Sequence, residues 1–391
     1  MEINKNKKLE NLKARIEILT RGIKPPIFEG KKLDKLYSIG VGAGPQGKMY
    51  KILSINGNNE SSSMISSPVF LESHHLSKYA LNTTLGEMPG TLITENNIVL
   101  KSTLPPKFLS KKLADNTLIF NAGLAMMHCY NTCTSVFGYK CQHFGDNEGC
   151  SYCEIDPIAK KVIGLSDKNS IDKIAEAIQI AVEYDNIRTL TITTGTFDTP
   201  DNVALEYLKL LKEIKRRVNI SIHFQMEPID NLSIFKELSN YADSVGIFLE
   251  IFNEDIRKKI CPGKSKISLE KYIENWTEAV KYFGRGNVMT TCLLGFGVEY
   301  DEILKKVADF AKIGVRTIFL FVRCKSEKLK DYTPTYLDKA INEIIDLHLT
   351  SVSIMKENGI LFAKGVGSGC IGCQGCTAMM EAGEIIEDSK I

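Results

Sequence analysis

The pattern of apolar and polar positions changes near residue 112. From residue 117 onward, short β-branched apolar runs alternate with stretches in which apolar residues recur at helical spacing. Ile171, Ile174 and Ile178 form one such stripe, and a last long helix is predicted over residues 334–358. The apolar runs predict six strands, at residues 117–122, 189–194, 219–226, 245–251, 288–294 and 317–322. Because alternating strands and helices form parallel sheets with right-handed crossovers, these units predict an α/β barrel or partial barrel.

The N-terminal 112 residues are predicted to be less regular. A helix is expected over residues 9–19, a short β-like piece lies at residues 48–53, and residues 55–68 have the composition of a loop. Adjacent prolines at positions 105 and 106 mark a boundary. We therefore expect three parts: an N-terminal accessory region at residues 1–112, a barrel at residues 113–360 and a cysteine-rich tail at residues 361–391.

The composition narrows the class of protein. The chain has 391 residues, of which 43% are hydrophobic and 25% charged, a globular balance that rules out a disordered or fibrous chain. Its net charge of +2 gives no electrostatic signature of nucleic-acid binding, and no apolar run is long enough to predict a membrane span. The basic N-terminus lacks the apolar segment of a secretory signal. We therefore expect a cytoplasmic protein without nucleic-acid or membrane partners.

Cysteine is the unusual component. Of 11 cysteines, five lie between Cys129 and Cys153 and three between Cys370 and Cys376. Clustered cysteines in a cytosolic chain of this size bind metal or carry out redox chemistry more often than they form disulfides. Soft thiolates at close spacing select zinc or iron–sulfur clusters.

The first cysteine group follows the first predicted strand. Cys150 and Cys153 are two residues apart, so both sulfurs can reach one metal centre. In parallel barrels, chemistry gathers at the C-terminal ends of the strands, where this segment is expected. A structural zinc site built from four of the five cysteines is the alternative. The position after the first strand favours a cluster.

This segment resembles the radical SAM superfamily, whose members place three cysteines in the loop after the first barrel strand. The usual spacing is Cys-x3-Cys-x2-Cys, and Cys150 and Cys153 match its closing half. With Cys141 as the first ligand the spacing becomes Cys-x8-Cys-x2-Cys, whereas Cys133 or Cys129 would require a larger loop. Cys141 is preferred because a shorter loop costs less entropy to close. The resemblance implies a partial (β/α)6 TIM-type barrel and a catalytic [4Fe–4S] cluster on Cys141, Cys150 and Cys153, with one iron open to S-adenosylmethionine.

The resemblance also implies which residues contact S-adenosylmethionine. The second strand ends in Thr-Thr-Gly-Thr without the usual acidic residue, so backbone or hydroxyl groups would receive the amino group. Glycines after the fifth strand would receive the adenine, and Arg323 after the sixth suits bidentate binding of the methionine carboxylate. For the rim carboxylates and Lys264, a rim salt bridge and a solvated loop lysine are the alternatives. The expected cofactor-binding residues are Tyr152, Thr194, Gly195, Thr196, Gln225, Glu227, Glu250, Lys264, Gly295, Gly297 and Arg323.

The second cysteine group follows the last predicted helix. Cys370, Cys373 and Cys376 have the spacing Cys-x2-Cys-x2-Cys among glycines that let the backbone curl tightly, which favours an auxiliary iron–sulfur cluster. A zinc knuckle, or a persulfide or redox relay without a cluster, is the alternative. The fourth iron could be bound by one of three other cysteines or by the substrate; the cysteines are Cys324, Cys133 and Cys129.

A finer resemblance concerns the branch of the superfamily. The Cys261-Pro-Gly-Lys264 stretch before a helix is similar to the biotin-synthase- and lipoyl-synthase-like branch, and with the tail and the second strand it resembles a subgroup encoded beside nitrilase-family genes. The resemblance implies reductive cleavage of S-adenosylmethionine to a 5′-deoxyadenosyl radical, hydrogen abstraction from a small-molecule substrate, and a reductant such as flavodoxin or ferredoxin. Sulfur insertion, substrate anchoring or electron relay would fall to the auxiliary cluster. The alternative from a different class is a zinc-stabilised barrel-fold binding or scaffold protein.

Overall fold

The structure is a computed structural model, and most of it covers the region predicted to form the barrel. It describes residues 2–24, 27–28, 31–32, 50–53, 63–65, 75–79, 91–93, 99–102, 106–119, 123–129, 131–145, 147–153, 155, 168–322, 327–362, 367–373 and 375–387. Among the described residues, no helix is both long enough and apolar enough to cross a membrane.

The N-terminal region begins with helix α1 (Glu2–Arg21). Its residues Leu12, Ile16 and Leu19 are fully buried, because the helix packs against two later helices near the C-terminal end of the described chain. Six short strands follow, β1 (Ile27–Phe28), β2 (Lys31–Lys32), β3 (Tyr50–Leu53), β4 (Ser63–Ile65), β5 (Thr91–Ile93) and β6 (Val99–Ser102). The first two pair with each other, and the other four form an antiparallel sheet in the order β4-β3-β6-β5.

A seven-stranded sheet forms the centre of the molecule. Its strands are β7 (Met126–Cys129), β8 (Thr132–Val136), β9 (Thr189–Thr193), β10 (Ser221–Met226), β11 (Ser244–Ile247), β12 (Val288–Leu294) and β13 (Val315–Phe321). Neighbours along the sheet follow the chain order from β7 to β13. Strands β8 to β13 are parallel, and β7 pairs antiparallel with β8 at the edge. This curled half-barrel is an α/β fold of the TIM type; we call the N-terminal ends of the parallel strands its base and their C-terminal ends its rim.

Helices connect the parallel strands and follow the last of them. They are α2 (Gln142–Gly145), α3 (Ile171–Asp185), α4 (Pro200–Arg217), α5 (Ile234–Leu238), α6 (Glu254–Ile260), α7 (Pro262–Ser265), α8 (Leu269–Phe283), α9 (Tyr300–Ile313), α10 (Ile341–Glu357), α11 (Gly369–Cys373) and α12 (Met379–Glu387). Local sequence sets their ends. Thr199 caps α4 by accepting a hydrogen bond from the Asn202 amide, with Pro200 at the first helical position. Helix α9 ends at Gly314, whose φ of +107° suits glycine.

The first predicted barrel strand is wrong. Of residues 117–122, the structure describes 117–119, where Leu118 forms only an isolated bridge to Lys112. The first parallel strand among the described residues is β8 at Thr132–Val136. Strand β8 escaped prediction because it is buried yet rich in hydroxyl side chains. Its Ser135 hydroxyl donates to the Leu124 carbonyl at 2.7 Å, so the polar groups are satisfied without an apolar pattern.

Several other boundaries also differ, among them those of strands β9, β10, β11 and β13. Residues 55–68 were predicted to be a loop, but β4 lies within them and pairs antiparallel with β3. The predicted 334–358 helix begins at Ile341, because the Glu343 carboxylate caps the Ala340 amide at 2.9 Å and residues 335–337 form a separate 3-10 turn. The predicted helix at residues 9–19 is longer at both ends. Strand β12 matches its prediction at both ends.

Candidate functional site

The loop after β8 folds over the rim end of β9. The Gly195 amide donates to the Gly138 carbonyl at 2.8 Å, and the Gln142 amide donates to the Thr196 carbonyl at 2.8 Å. A Cβ at position 195 would overlap the Lys140 carbonyl oxygen and lie 3.0 Å from the Cys141 Cβ. Gly195 therefore lets the cysteine loop approach the strand end closely.

The three cysteines predicted as cluster ligands lie on this loop at the rim. Cys141 immediately precedes α2, and Cys150 and Cys153 are joined by a turn in which the Cys153 amide donates to the Cys150 carbonyl at 3.0 Å. Cys141 and Cys153 pack against the same small apolar group of Val136, Tyr139 and Ile155. Burial, together with the neighbouring Cys150, raises the pKa of Cys153 to about 12, and burial also raises the pKa of Cys141. A metal centre bound by these thiols would therefore have to displace protons.

Cys150 has a different environment because a fourth cysteine reaches it. The Cys261 thiol, between α6 and α7, hydrogen-bonds to Cys150 and lowers its pKa despite burial. Ligand atoms of Cys150, Glu250 and Cys261 all lie within 4.8 Å of one another. Within the Cys261-Pro-Gly-Lys264 stretch, only Lys264 was predicted to belong to the site. The signal was present as a cysteine before Pro-Gly-Lys, but its contact with Cys150 depends on the tertiary fold.

Glu250 occupies the centre of a buried polar cluster. Its φ of +69° is unusual for a residue other than glycine, and hydrogen bonds from its amide to the Thr291 carbonyl and from the Leu293 amide to its carbonyl hold it in place. Its carboxylate accepts from Lys264 Nζ at 2.9 Å and from the Tyr152 hydroxyl. Lys264 is half-buried, with 18% of its side chain exposed, and is not a solvated loop lysine. Burial opposes its charge, but Glu250 and Cys150 raise its pKa well above the usual range.

Glu227 forms a second carboxylate cluster at the rim. It is buried, and its Oε1 lies 2.9 Å from His143 Nε2. Burial raises the pKa of Glu227, but hydrogen bonds from His143 and Thr196 and the charge of Lys264 lower it overall. His143, which the sequence analysis did not select, comes from α2, so this pair ties the cysteine loop to the end of β10. Thr194 turns back to its own strand end, with its hydroxyl donating to the Gly195 carbonyl at 2.8 Å.

The glycines after β12 both have positive φ, at +123° for Gly295 and +84° for Gly297. The Gly295 carbonyl accepts from the Tyr332 hydroxyl at 2.9 Å. Between them, Phe296 packs against Tyr332 and also against Tyr152, with ring centroids 6.2 Å apart in the second pair. An aromatic wall therefore joins the cysteine loop to the predicted adenine-binding turn. Arg323 and Cys324 lie outside the described residues.

The second cysteine group is at the opposite end of the half-barrel. The Gly369 amide donates to the Thr189 hydroxyl at 2.5 Å, and Thr189 is the first residue of β9, so the tail enters at the base. Gln225, predicted at the S-adenosylmethionine site, donates its Nε2–H to Cys370 Sγ at 3.4 Å, so the structure places it with the tail. The tail cysteines lie beside His128 and Cys129 of β7.

Cys133 does not join either cysteine group. It is fully buried in β8, and its thiol donates to the Thr134 carbonyl at 3.6 Å. Burial raises the pKa of Cys133 to about 12, so it behaves as a small apolar core residue.

Part of the chain matches a known family model. Residues 145–311 match the family model described as the Radical SAM superfamily. No curated protein matches the chain. Among solved structures, methylornithine synthase (PylB) is 14% identical with a TM-score of 0.46, covering 64% of this chain and 69% of that one. The FeFe-hydrogenase maturase HydG from Carboxydothermus hydrogenoformans is 16% identical with a TM-score of 0.45, covering 60% and 53%.

A third similar structure is a radical SAM methyltransferase from Sphaerobacter thermophilus, 16% identical with a TM-score of 0.38 over 60% of this chain and 66% of that one. The matched family segment begins four residues after Cys141 and includes Cys150, Cys153 and strands β9 to β12. The family implies a [4Fe–4S] cluster and S-adenosylmethionine as cofactors. Residues 145–311 are therefore a domain of the radical SAM superfamily.

Proposed function

We propose that the protein is a radical SAM enzyme that acts on a small-molecule substrate, with Cys141, Cys150 and Cys153 as the ligands of its [4Fe–4S] cluster. The observation that carries this proposal is that three cysteines of one loop lie at the rim of the half-barrel, at the edge of the matched family segment. The donor set fits a cluster, since thiolates are its usual ligands and three of them leave one iron for S-adenosylmethionine. When bound, the cluster and S-adenosylmethionine supply one-electron cleavage of the sulfonium to a 5′-deoxyadenosyl radical, which abstracts hydrogen from the substrate.

The residues around the loop would position and shield the cofactors. Glu250, fixed by Lys264 and Tyr152, presents an anchored carboxylate to ribose hydroxyls or substrate. Phe296 and the backbone after β12 would hold the adenine in a water-poor cleft. We assign the amino group of S-adenosylmethionine to the backbone and hydroxyl groups at Thr194, Gly195 and Thr196, and its carboxylate to Arg323.

Glu227 and His143 would hold the cysteine loop in place. Because His143 donates to Glu227 from α2, this ion pair holds the cysteine loop against β10 as well as lining the site. The carboxylate is buried and charged, so removing either partner leaves the other uncompensated, which costs about 3–5 kcal/mol for a buried pair.

The broader assignment completes the proposal. The half-barrel is a partial (β/α)6 barrel of residues 113–360, preceded by an accessory region and followed by a tail in which Cys370, Cys373 and Cys376 hold an auxiliary cluster. The enzyme belongs to the biotin- and lipoyl-synthase-like branch, in the subgroup encoded beside nitrilase-family genes. It works in the cytoplasm with a reductant such as flavodoxin or ferredoxin. Sulfur insertion or substrate anchoring at the auxiliary cluster is part of this proposal.

The test is iron and sulfide content of protein purified and reconstituted without oxygen, with electron paramagnetic resonance spectra of the reduced protein before and after S-adenosylmethionine is added. We expect a reduced-cluster signal that changes on addition and is lost in Cys150→Ala. Cys292→Ala is the matched control, because Cys292 is equally buried but lies in β12. Formation of 5′-deoxyadenosine under reducing conditions is the second readout.

The zinc-stabilised scaffold is the competing outcome. One observation favours it, namely the close approach of Cys150, Glu250 and Cys261, which is the spacing of ligands around a single ion. Stoichiometric zinc without iron, and no response to S-adenosylmethionine, would refute the enzyme proposal.

A further inference from the structure

The tail closes the base of the half-barrel from inside. Ser368 donates from its hydroxyl to the Ile222 carbonyl at 3.4 Å and contacts the Ser244 hydroxyl, while the Gly369 amide reaches Thr189. Each of these partners lies at or next to the start of a parallel strand. A Cβ on Gly369 would overlap the side chain of His223, so the fit is close and needs glycine, whose φ is +49°.

Hydrogen-bond donors converge on the tail sulfurs. Cys370 Sγ accepts from the Thr191 hydroxyl at 3.5 Å and from Gln225 Nε2 at 3.4 Å. His128 spans the other two cysteines, with Nδ1 3.0 Å from Cys373 Sγ and Nε2 4.0 Å from Cys376 Sγ. Several donors aimed at sulfur stabilise thiolates, the form in which cysteine binds metal.

Strand β7 brings a fourth thiol to the same place. Cys129 is fully buried and hydrogen-bonds to Cys373, which is itself 2% exposed. The register of β7 against β8 is irregular between Met127 and Cys129, so the pairing departs from strict alternation where His128 and Cys129 meet the tail. Cys129 and the tail are over 240 residues apart in sequence, so only the fold shows this contact.

We propose that Cys129 is the fourth protein ligand of the auxiliary cluster, and that His128 donates hydrogen bonds to its sulfurs. This inference rests on the auxiliary cluster of the proposed function. The two nitrogens of His128 face two different sulfurs, as expected of a donor; a ligand would turn one nitrogen to the metal. With four thiolates the cluster has no open iron, so of the roles in the proposed function this assignment removes substrate anchoring by direct coordination and keeps sulfur insertion or electron relay.

The tail donors do not form the compact trio that a single zinc ion requires. Tetrahedral zinc holds its sulfurs about 3.8 Å apart, from a Zn–S distance of about 2.3 Å. Among the described residues, no three ligand atoms of His128, Cys129 and the tail cysteines lie within 4.8 Å of one another, although Cys129 and Cys373 are in contact. A cluster accepts this more open set, because each thiolate binds a different iron.

The two cysteine groups face the same interior from opposite ends. Cys370 contacts Thr191 and the cysteine loop contacts Gly195, four residues farther along the same strand segment. At about 3.3 Å per residue, the two contacted positions are roughly 13 Å apart. A small substrate between them would be accessible to both.

The experiment counts iron in full-length Cys141→Ala/Cys150→Ala/Cys153→Ala protein, which keeps only the base site. We expect this triple variant to hold about four irons per chain and to lose them when Cys373→Ala is added. Adding Cys129→Ala instead should leave one iron without a protein ligand, and a chelator should remove that iron selectively. Cys133→Ala is the matched control, because Cys133 is as buried in the adjacent strand but bonds only to backbone. If Cys129→Ala misfolds by circular dichroism, Cys129→Ser replaces it and should shift the cluster spectrum.

The outcomes separate the two proposals. If Cys373→Ala loses no iron, the auxiliary cluster fails and the ligand assignment with it. If Cys373→Ala loses iron but Cys129→Ala behaves like Cys133→Ala, only the assignment fails. His128→Gln should keep all the iron and make the cluster harder to reduce, because hydrogen bonds to sulfur raise the reduction potential; loss of iron from His128→Gln alone would make His128 the ligand and overturn the assignment.

Discussion

Gly195 offers the sharpest test of how the cysteine loop is held at the rim. In Gly195→Ala, the new methyl group would overlap the Lys140 carbonyl oxygen, lie 2.9 Å from the Lys140 carbonyl carbon and lie 3.0 Å from the Cys141 Cβ. The obstacle is backbone, which cannot rotate away as a flexible side chain would. The loop must therefore move, and the two 2.8 Å hydrogen bonds that dock it on β9 must lengthen or break.

The expected cost follows from these contacts. Overpacking of a close contact costs about 1–3 kcal/mol, and each intramolecular hydrogen bond contributes about 1 kcal/mol. A cost of about 2 kcal/mol lowers the ratio of docked to undocked loop about thirtyfold. Because Cys141 lies on the displaced segment, we expect Gly195→Ala to lose iron from the rim site under a chelator much faster than the unaltered protein.

The control lies in the same loop. Gly145 is at the end of α2, and a Cβ there meets nothing within 4 Å, so Gly145→Ala should change neither stability nor iron release. Urea unfolding followed by the fluorescence of Trp276, the single tryptophan and fully buried, gives the stability, and iron release gives the state of the loop. Equal iron retention and a stability difference below about 0.5 kcal/mol between the two variants would refute the account of Gly195.

Three further predictions concern the rest of the frame. Arg15→Met should lower the urea midpoint by an amount equivalent to about 3 kcal/mol, because the buried Glu381 carboxylate, 3.2 Å from the guanidinium, loses its positive partner. Arg15→Met/Glu381→Leu should recover part of the lost stability, and no recovery would argue against the ion pair. Gly369→Ala should abolish iron binding at the base, whereas Gly359→Ala, with a similar positive φ of +75° but open space, should lose only stability; equal iron in both contradicts the crowding argument. Burial lowers the pKa of His348 to about 4 in the folded protein, so below about pH 6.5 the unfolded chain takes up a proton at this residue more readily than the folded protein does. The stability contributed by neutral His348 is therefore complete above that pH and falls by up to about 3 kcal/mol towards pH 4. Thermal melts between pH 7.5 and 5 should show a shallower loss of stability in His348→Phe than in the unaltered protein.

The local sequence pattern was sufficient to predict the bounds of an element where the apolar residues of the pattern are also the buried ones. Strand β12, with β-branched and apolar residues throughout a buried segment, matches its prediction at both ends. Strands β7 and β8 were missed because His128, Thr134 and Ser135 satisfy their polar groups by hydrogen bonds that a sequence pattern does not show. Hydrophobicity alone therefore placed the first strand too early.

The site residues that the sequence did not predict are those placed by contacts between distant parts of the chain. Spacing suggested Cys150 and Cys153 as ligands because two residues separate them, and it suggested the tail for the same reason. Cys261 was not predicted, and Cys129 was only one of three open choices for the fourth ligand, because their partners are about 110 and 240 residues away and a spacing rule applies only within one loop. Gln225 was assigned to the rim because it lies near the end of β10, but its side chain points to the tail. Because successive side chains of a strand point to opposite faces, the position of a residue near a strand end does not by itself predict which end of the barrel its side chain reaches.

The closed base has a consequence for how the protein is made. Residues 367–373, which close the base, follow all six parallel strands in the chain, so they are translated after the strands they cover. Until the tail is translated, Thr189, Thr191 and Gln225 line an interior that is open to solvent at the base. The rim ligands, in contrast, are all synthesised before β9. Biogenesis of the two centres should therefore be ordered in time, with the base centre assembled last, and a ribosome stalled before the tail would hold a barrel that could receive only the rim cluster.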